Sequence, residues 1–118
     1  MEKFQEKRNK YDNDERIQKV NQALTVKQNR PAEFHDVAVG LDLNHKMAFM
    51  MFFEEIALLN NSGILNDDIT FYTFGWDALG FYESDDFWDQ PLQKDDPYWS
   101  LFRSFCEKMA NYREIPQG

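Results

Sequence analysis

Ile17, Val20 and Leu24 recur at helical spacing with polar residues between them, which predicts an amphipathic helix from about residue 14 to 29 with one stripe to bury. Pro31 disfavours helix at Arg30 and closes it. The same proline, followed by Ala-Glu-Phe, predicts a short helix over residues 32–39, with the missing donor of proline costing nothing in a first turn, and Gly40 ends it. Asp42 or Asn44 then caps an element whose body, MAFMMFFEEIALLNN from Met47, is apolar on nearly every side until Glu54 and Glu55. A helix with so little polar surface belongs at the centre of a domain. Asn60, Asn61, Ser62 and Gly63 form a run of turn formers, with Gly63 suited to the left-handed residue that closes a helix, and Ile64 and Leu65 are expected to pack back on that end.

Asn66 or Asp67 opens a further helix, with Asp68 in the first turn, where a carboxylate offsets the positive end of the dipole. Phe71, Phe74, Leu79 and Tyr82 supply its buried side, with Trp76 at an edge. Gly75 and Gly80 cost this helix about 1 kcal/mol each relative to alanine, which a closely crossing helix would justify. Residues 84–97, punctuated by Pro91, Pro97 and acidic pairs, read as a loop with one short turn around Phe87 and Trp88. Asp96 and Pro97 then open a last helix, whose face runs through Trp99, Phe102, Phe105 or Cys106, Met109 and Tyr112, with Pro116 beyond its end. The nearest thing to a strand is AEFHDVAVGLDL, which could hold a short extended piece. Together these patterns predict an all-α domain, a compact bundle of four or five helices around the 47–60 helix. Residues 1–13 form a charged head, a frayed or solvent-facing lead-in, and residues 14–118 form the single domain.

At 118 residues the chain has room for one core, and 42% hydrophobic and 16% aromatic content argues for a packed one. The single cysteine, Cys106, has no internal partner, and no apolar run reaches membrane-spanning length, so the expectation is a cytoplasmic protein with no membrane segment in this chain. The net charge of −8 is unevenly spread. Residues 1–30 carry eight Lys/Arg against five Asp/Glu, whereas residues 66–98 carry nine acids against Lys94 alone. Phosphates would be repelled by the acidic half, and the basic head is diluted by its own acids, so direct nucleic-acid binding is not expected.

Within the run from Met50 to Glu83, Phe53, Glu54 and Ile56 are followed by Gly63, Ile64, Leu65 and Asp67, then by Phe74, Gly75 and Tyr82, with the Trp99 helix after them. This order resembles an uncharacterised bacterial and phage helical family: a Phe-Glu-x-Ile helix, a Gly-apolar-apolar-Asp turn and a Phe-Gly helix. The resemblance covers the C-terminal two-thirds of the chain and implies the helical fold. The family has no assigned activity, and many of its members look membrane-anchored ahead of this domain, whereas here a charged head stands in that place.

Candidate chemistry is sparse. His35, Asp36, Asp42 and His45 make the one histidine–carboxylate constellation, but their spacing fits a solvated turn between helices better than three or four converging ligands, so no metal and no cofactor is expected. Adjacent helical residues point about 100° apart, so at most one of Glu54 and Glu55 faces inward. A buried Glu54 could serve as a general acid or base, yet nothing completes a catalytic set around it, and a structural carboxylate bonded to a helix N-terminus or to a Trp or Tyr donor is the better reading. No serine stands in a nucleophile elbow and no phosphate loop is present. What remains is the acidic aromatic loop. Asp85, Asp86, Trp88, Asp89, Asp95 and Asp96 are the candidate partner-binding residues, facing a protein with a basic surface, unless Phe87 and Trp88 fold back on the core. Two alternatives stand beside this interaction module: a phage-type acidic inhibitor mimicking nucleic acid, and a small enzyme or ligand-binding domain using Glu54. A homo-oligomer is compatible with either kind of binding.

Overall fold

A computed structural model describes residues 2–89 and 92–114, and over these the protein is all-helical. The elements are α1 (Glu2–Asn13), α2 (Glu15–Asn29), α3 (Pro31–Val39), α4 (Leu43–Asn61), α5 and α6 (Ser100–Arg113). Helix α5 is continuous through Asp67–Thr70, a π-helical stretch Phe71–Gly75, and Trp76–Tyr82. Short 3₁₀ turns lie at Asp85–Phe87 and Pro97–Trp99. Pro91 and Pro116, read as punctuation from sequence, lie outside the described residues.

Most helix ends sit where local chemistry puts them. The Asp14 carboxylate accepts from the Arg16 and Ile17 N–H groups at 2.9 and 3.3 Å and caps α2. Asn66 does the same for α5, accepting from Ile69 N–H at 2.9 Å, and Asp96 accepts from Tyr98 N–H at 2.9 Å ahead of α6. Gly63 adopts φ 83°, the left-handed conformation that closes α4, and its N–H donates to the Asn60 carbonyl at 3.1 Å. Leu65 packs back and is buried, but Ile64 is 57% exposed, because only one of two neighbouring side chains after such a turn points at the helix it has left.

The charged head departs most from its sequence pattern. Residues 2–13 are a sixth helix, and Phe4 and Tyr11, seven residues apart on one face, are buried against Phe74 at ring-centroid distances of 6.2 and 5.3 Å. Two apolar side chains in a twelve-residue helix with seven charged ones are too few to set a hydrophobic period, yet enough to dock a helix whose other faces stay wet. Lys7 adds an ion pair with Glu55 of α4.

On α4, Phe49, Met50, Phe52, Phe53, Ile56 and Ala57 are buried and almost fully removed from solvent. They meet α2 on one side and α6 on another. The π stretch of α5 was not legible beforehand. Its wider turn carries one extra residue, and it falls where Gly75 lies closest to its neighbours: a Cβ there would stand 3.0 Å from Phe71 Cδ2 and 3.1 Å from Met109 Sδ of α6. Gly80 likewise lets Leu24 of α2 approach, with a would-be Cβ 3.3 Å from its Cδ2. Both glycines therefore serve close helix crossings. A polar knot joins α4, α5 and α6: the buried Asn60 amide donates to the Leu65 carbonyl and to Asp67 Oδ1 at 3.0 and 2.8 Å, and Lys108 reaches Asn60 Oδ1 and Asp67 Oδ1 at 2.7 and 2.9 Å.

In Gly75→Ala the gain in helix propensity of about 1 kcal/mol is outweighed by overpacking against the buried Phe71 ring, typically 1–3 kcal/mol, so the urea unfolding midpoint falls. The Lys108 ammonium, with the Asn60 amide behind it, holds the Asp67 carboxyl below the usual aspartate range. A carboxyl depressed in the folded state contributes stability that is present above its unfolded pKa and is lost as pH falls through the folded value. The stability gap between wild type and Lys108→Met is thus expected to be widest near neutral pH and to narrow in acid, measured by urea melts across a pH series.

Candidate functional site

The acidic loop after α5 is held by its own aromatic residues. Phe87 is fully buried, stacked on Phe81 at 4.6 Å with an interplanar angle of 6° and edge-on to Phe34 of α3 at 5.4 Å. Trp88 is half-buried, and its indole N–H donates to the Tyr82 carbonyl at 3.1 Å. Both rings fold back, as apolar surface of this size does when a core is within reach. The arrangement of a fully exposed aromatic ringed by carboxylates is not what the chain adopts.

Beneath the loop lies Lys46, near the start of α4 and only 5% exposed. Its ammonium donates to the Phe87 carbonyl at 3.3 Å and pairs with Asp89 at 3.0 Å. A buried cation requires such partners, since an unpaired charge would cost several kcal/mol. Sequence reasoning passed over this lysine because it precedes the apolar run. The signal was there: Lys46 stands three and four residues before Phe49 and Met50, on the side of the helix they bury.

The six candidate carboxylate and tryptophan positions therefore divide. Asp86 faces His35 Nδ1 at 3.5 Å, Asp89 is tied to Lys46, and Asp96 caps the turn before α6. Asp85 and Asp95 are exposed. Trp88 lines an open cleft of about 480 Å³ together with Asp85, Asp89, Leu92, Gln93 and Lys94. The Lys94 ammonium sits 4.2 Å above the Tyr82 ring. Chain folding brings Asp85, Trp88 and Asp89 to one cleft and leaves Asp86 against α3.

Glu54 accepts a hydrogen bond from the Phe102 backbone N–H in the first turn of α6. It is a capping carboxylate from another helix, matched to the positive end of the dipole. Partial burial pushes its pKa up and the Phe102 N–H pulls the other way. His45 lies nine residues earlier on the same helix, about 13 Å along its axis at 1.5 Å per residue, so the two cannot share a reacting group. Among the described residues, no three His, Cys, Asp or Glu side chains converge to hold a metal. His35 is turned to Asp86.

A second polar arrangement lies on the other side of α5. The Tyr11 hydroxyl donates to Asp77 Oδ2 at 2.6 Å, with Asn21 Oδ1 a second acceptor 3.0 Å from the same phenol oxygen. Desolvation raises the Asp77 pKa above the ordinary aspartate value despite the Tyr11 bond, and burial followed by the charge of Asp77 pushes the Tyr11 phenol far up. Nothing in the local sequence pairs Tyr11 with a residue 66 positions on; only the docking of α1 does.

In Lys46→Met the carbonyl of Phe87 loses its partner while Asp89 can turn to water, so global stability is expected to fall by about 1 kcal/mol. Amide hydrogen exchange at Phe87 and Trp88 should rise above that of the α4 amides, which reports loosening of the loop rather than of the fold. No protein-family pattern, curated protein or solved structure matches this chain.

Proposed function

We propose that the protein is a non-enzymatic interaction module that takes a basic segment of a protein partner on the acidic rim of the Trp88 cleft. One observation carries the reading: Asp85 and Asp89 line one cleft with the half-buried Trp88 and the buried Leu92, and Lys94, the one basic residue lining it among the described residues, has its ammonium over Tyr82. Such a surface offers carboxylates around an apolar floor, which suits a Lys or Arg side chain with a long alkyl stem. Lys46 and Phe87 hold the rim in place before binding, so little ordering cost attends the encounter. Asp95 and Asp96, exposed and close in sequence, extend the negative field along the approach.

The scaffold reading that goes with this places α4 at the centre of the bundle. The single, buried Cys106 supports action in a reducing compartment, the cytoplasm. The resemblance of residues 50–83 to an uncharacterised bacterial and phage family adds no activity. Among the described residues, no helix is long and apolar enough to cross a membrane.

The double variant Asp85→Lys/Asp95→Lys reverses two exposed charges and leaves the caps and the Lys46 pair untouched. Basic proteins captured by the tagged wild-type chain at low salt are expected to be lost at high salt and lost from the variant, with far-UV circular dichroism unchanged. Capture that survives the variant rejects this surface. Capture competed away by duplex DNA would favour the nucleic-acid mimic instead.

A further inference from the structure

Immediately after the π stretch of α5, Trp76 stands 54% exposed, although its neighbour in the helix, Asp77, is drawn in to the Tyr11 hydroxyl. The two line one cleft of about 400 Å³ between α2 and α5, with Leu24, Lys27, Gln28 and Gly80. Gly80 has no side chain to fill it. The Trp76 ring is backed by the buried Phe71 at 5.1 Å, which fixes one side of the indole and leaves the rest outward. Lys27 shares the cleft, but its ammonium is engaged at 2.6 Å by the Ser84 hydroxyl and lies over the Phe34 ring.

Among the described residues, no basic side chain forms an ion pair with Asp77. Lys27 lines this cleft and Arg8 a neighbouring one, yet the half-buried Asp77 carboxylate has one neutral donor, Tyr11, and no ion-pair partner among the described residues, an unfavourable arrangement that a ligand cation would relieve. Beside it stands an aromatic face, the other half of a cation site. Placement and chemistry agree on the ligand.

We propose that this cleft binds an arginine side chain of a polypeptide partner, its guanidinium stacked on Trp76 and donating to Asp77. Arginine is the natural side chain that does both, since its planar fork stacks on an aromatic ring and bonds a carboxylate at the same time. The open form of the cleft favours a side chain presented by a partner's backbone over a free small molecule, which would need most of its surface enclosed. The site stands apart from the acidic rim and uses none of its residues.

The test is a titration of the whole ¹⁵N-labelled chain with N-acetyl-arginine amide, followed by the tryptophan indole and backbone amide resonances. The indole of Trp76 and the amides of Asp77 and Gly80 are expected to shift saturably with a common midpoint of their own, whatever the Trp88 cleft does with the probe, while the indole of Trp99 stays in place. Trp76→Leu and Asp77→Asn are each expected to weaken the midpoint by about tenfold, read on the Gly80 amide. N-acetyl-lysine amide should bind more weakly than the arginine probe. The proposal is overturned if the Trp76 region does not shift, if neither variant weakens binding, or if tetramethylammonium binds as tightly as the blocked arginine, since it can stack but not fork. Because Asp85 and Trp88 take no part, failure here leaves the acidic-rim reading standing, and failure there leaves this one.

Discussion

The ring of Phe53 lies between 4.8 and 6.3 Å from six other aromatic rings, Tyr11 of α1, Phe49 and Phe52 of its own helix, Phe74 of α5, and Phe102 and Phe105 of α6. Four of the six helices meet at this one side chain. Each buried phenylalanine contributes roughly 1.5–3 kcal/mol by leaving water, and edge-to-face pairs add about 0.5–1.5 kcal/mol more. Rings of fixed shape packed at such density admit few alternative arrangements, so the directions of α1, α4, α5 and α6 relative to one another are constrained where their aromatic residues meet at Phe53.

The polar ties are consequences of that packing. Once α6 lies against α4, its first turn presents an unpaired Phe102 N–H, and Glu54 is the residue in reach. Once α5 lies beside α1, Tyr11 finds Asp77. Arg113 reaches Glu83 with two bonds of 3.0 Å, tying the end of α6 to the residue just after α5. Most buried or half-buried charge in the molecule is thereby given a structural partner. The acidic aromatic loop illustrates the effect: Phe87, Trp88 and Asp86 are engaged within the fold, and Asp89 is held by Lys46 while its side chain, like Asp85, stays open to solvent.

Charge separation along the chain survives folding in altered form. The basic head does not trail from the domain; α1 docks, and Lys7 goes to Glu55. Arg16 and Lys10 turn to Asp14. Such pairs, each with one side chain open to solvent, contribute little to stability, but they mute the positive end of the molecule. The negative end is muted in part as well: of the nine acids in residues 66–98, Asp67 pairs with Lys108, Glu83 with Arg113 and Asp89 with Lys46.

Helix class and most helix boundaries were legible from residues alone, because caps and stops act locally: Asp14, Asn66, Asp96, Pro31 and Gly63 each settle a few backbone groups with side chains or dihedral angles of their own. The apolar run of α4 was legible for the same reason. What needed the folded chain were contacts between residues far apart in sequence. Phe4 and Tyr11 docked a helix that its charges alone would leave in water, and Lys46 entered the core because Phe87 and Asp89 closed over it. Trp88 turned inward, Ile64 turned out, and Asp77 lost its water beside a tyrosine 66 residues earlier. Burial and counter-charge are properties of an assembled surface, and a one-dimensional pattern states what each residue can do without stating what it will meet.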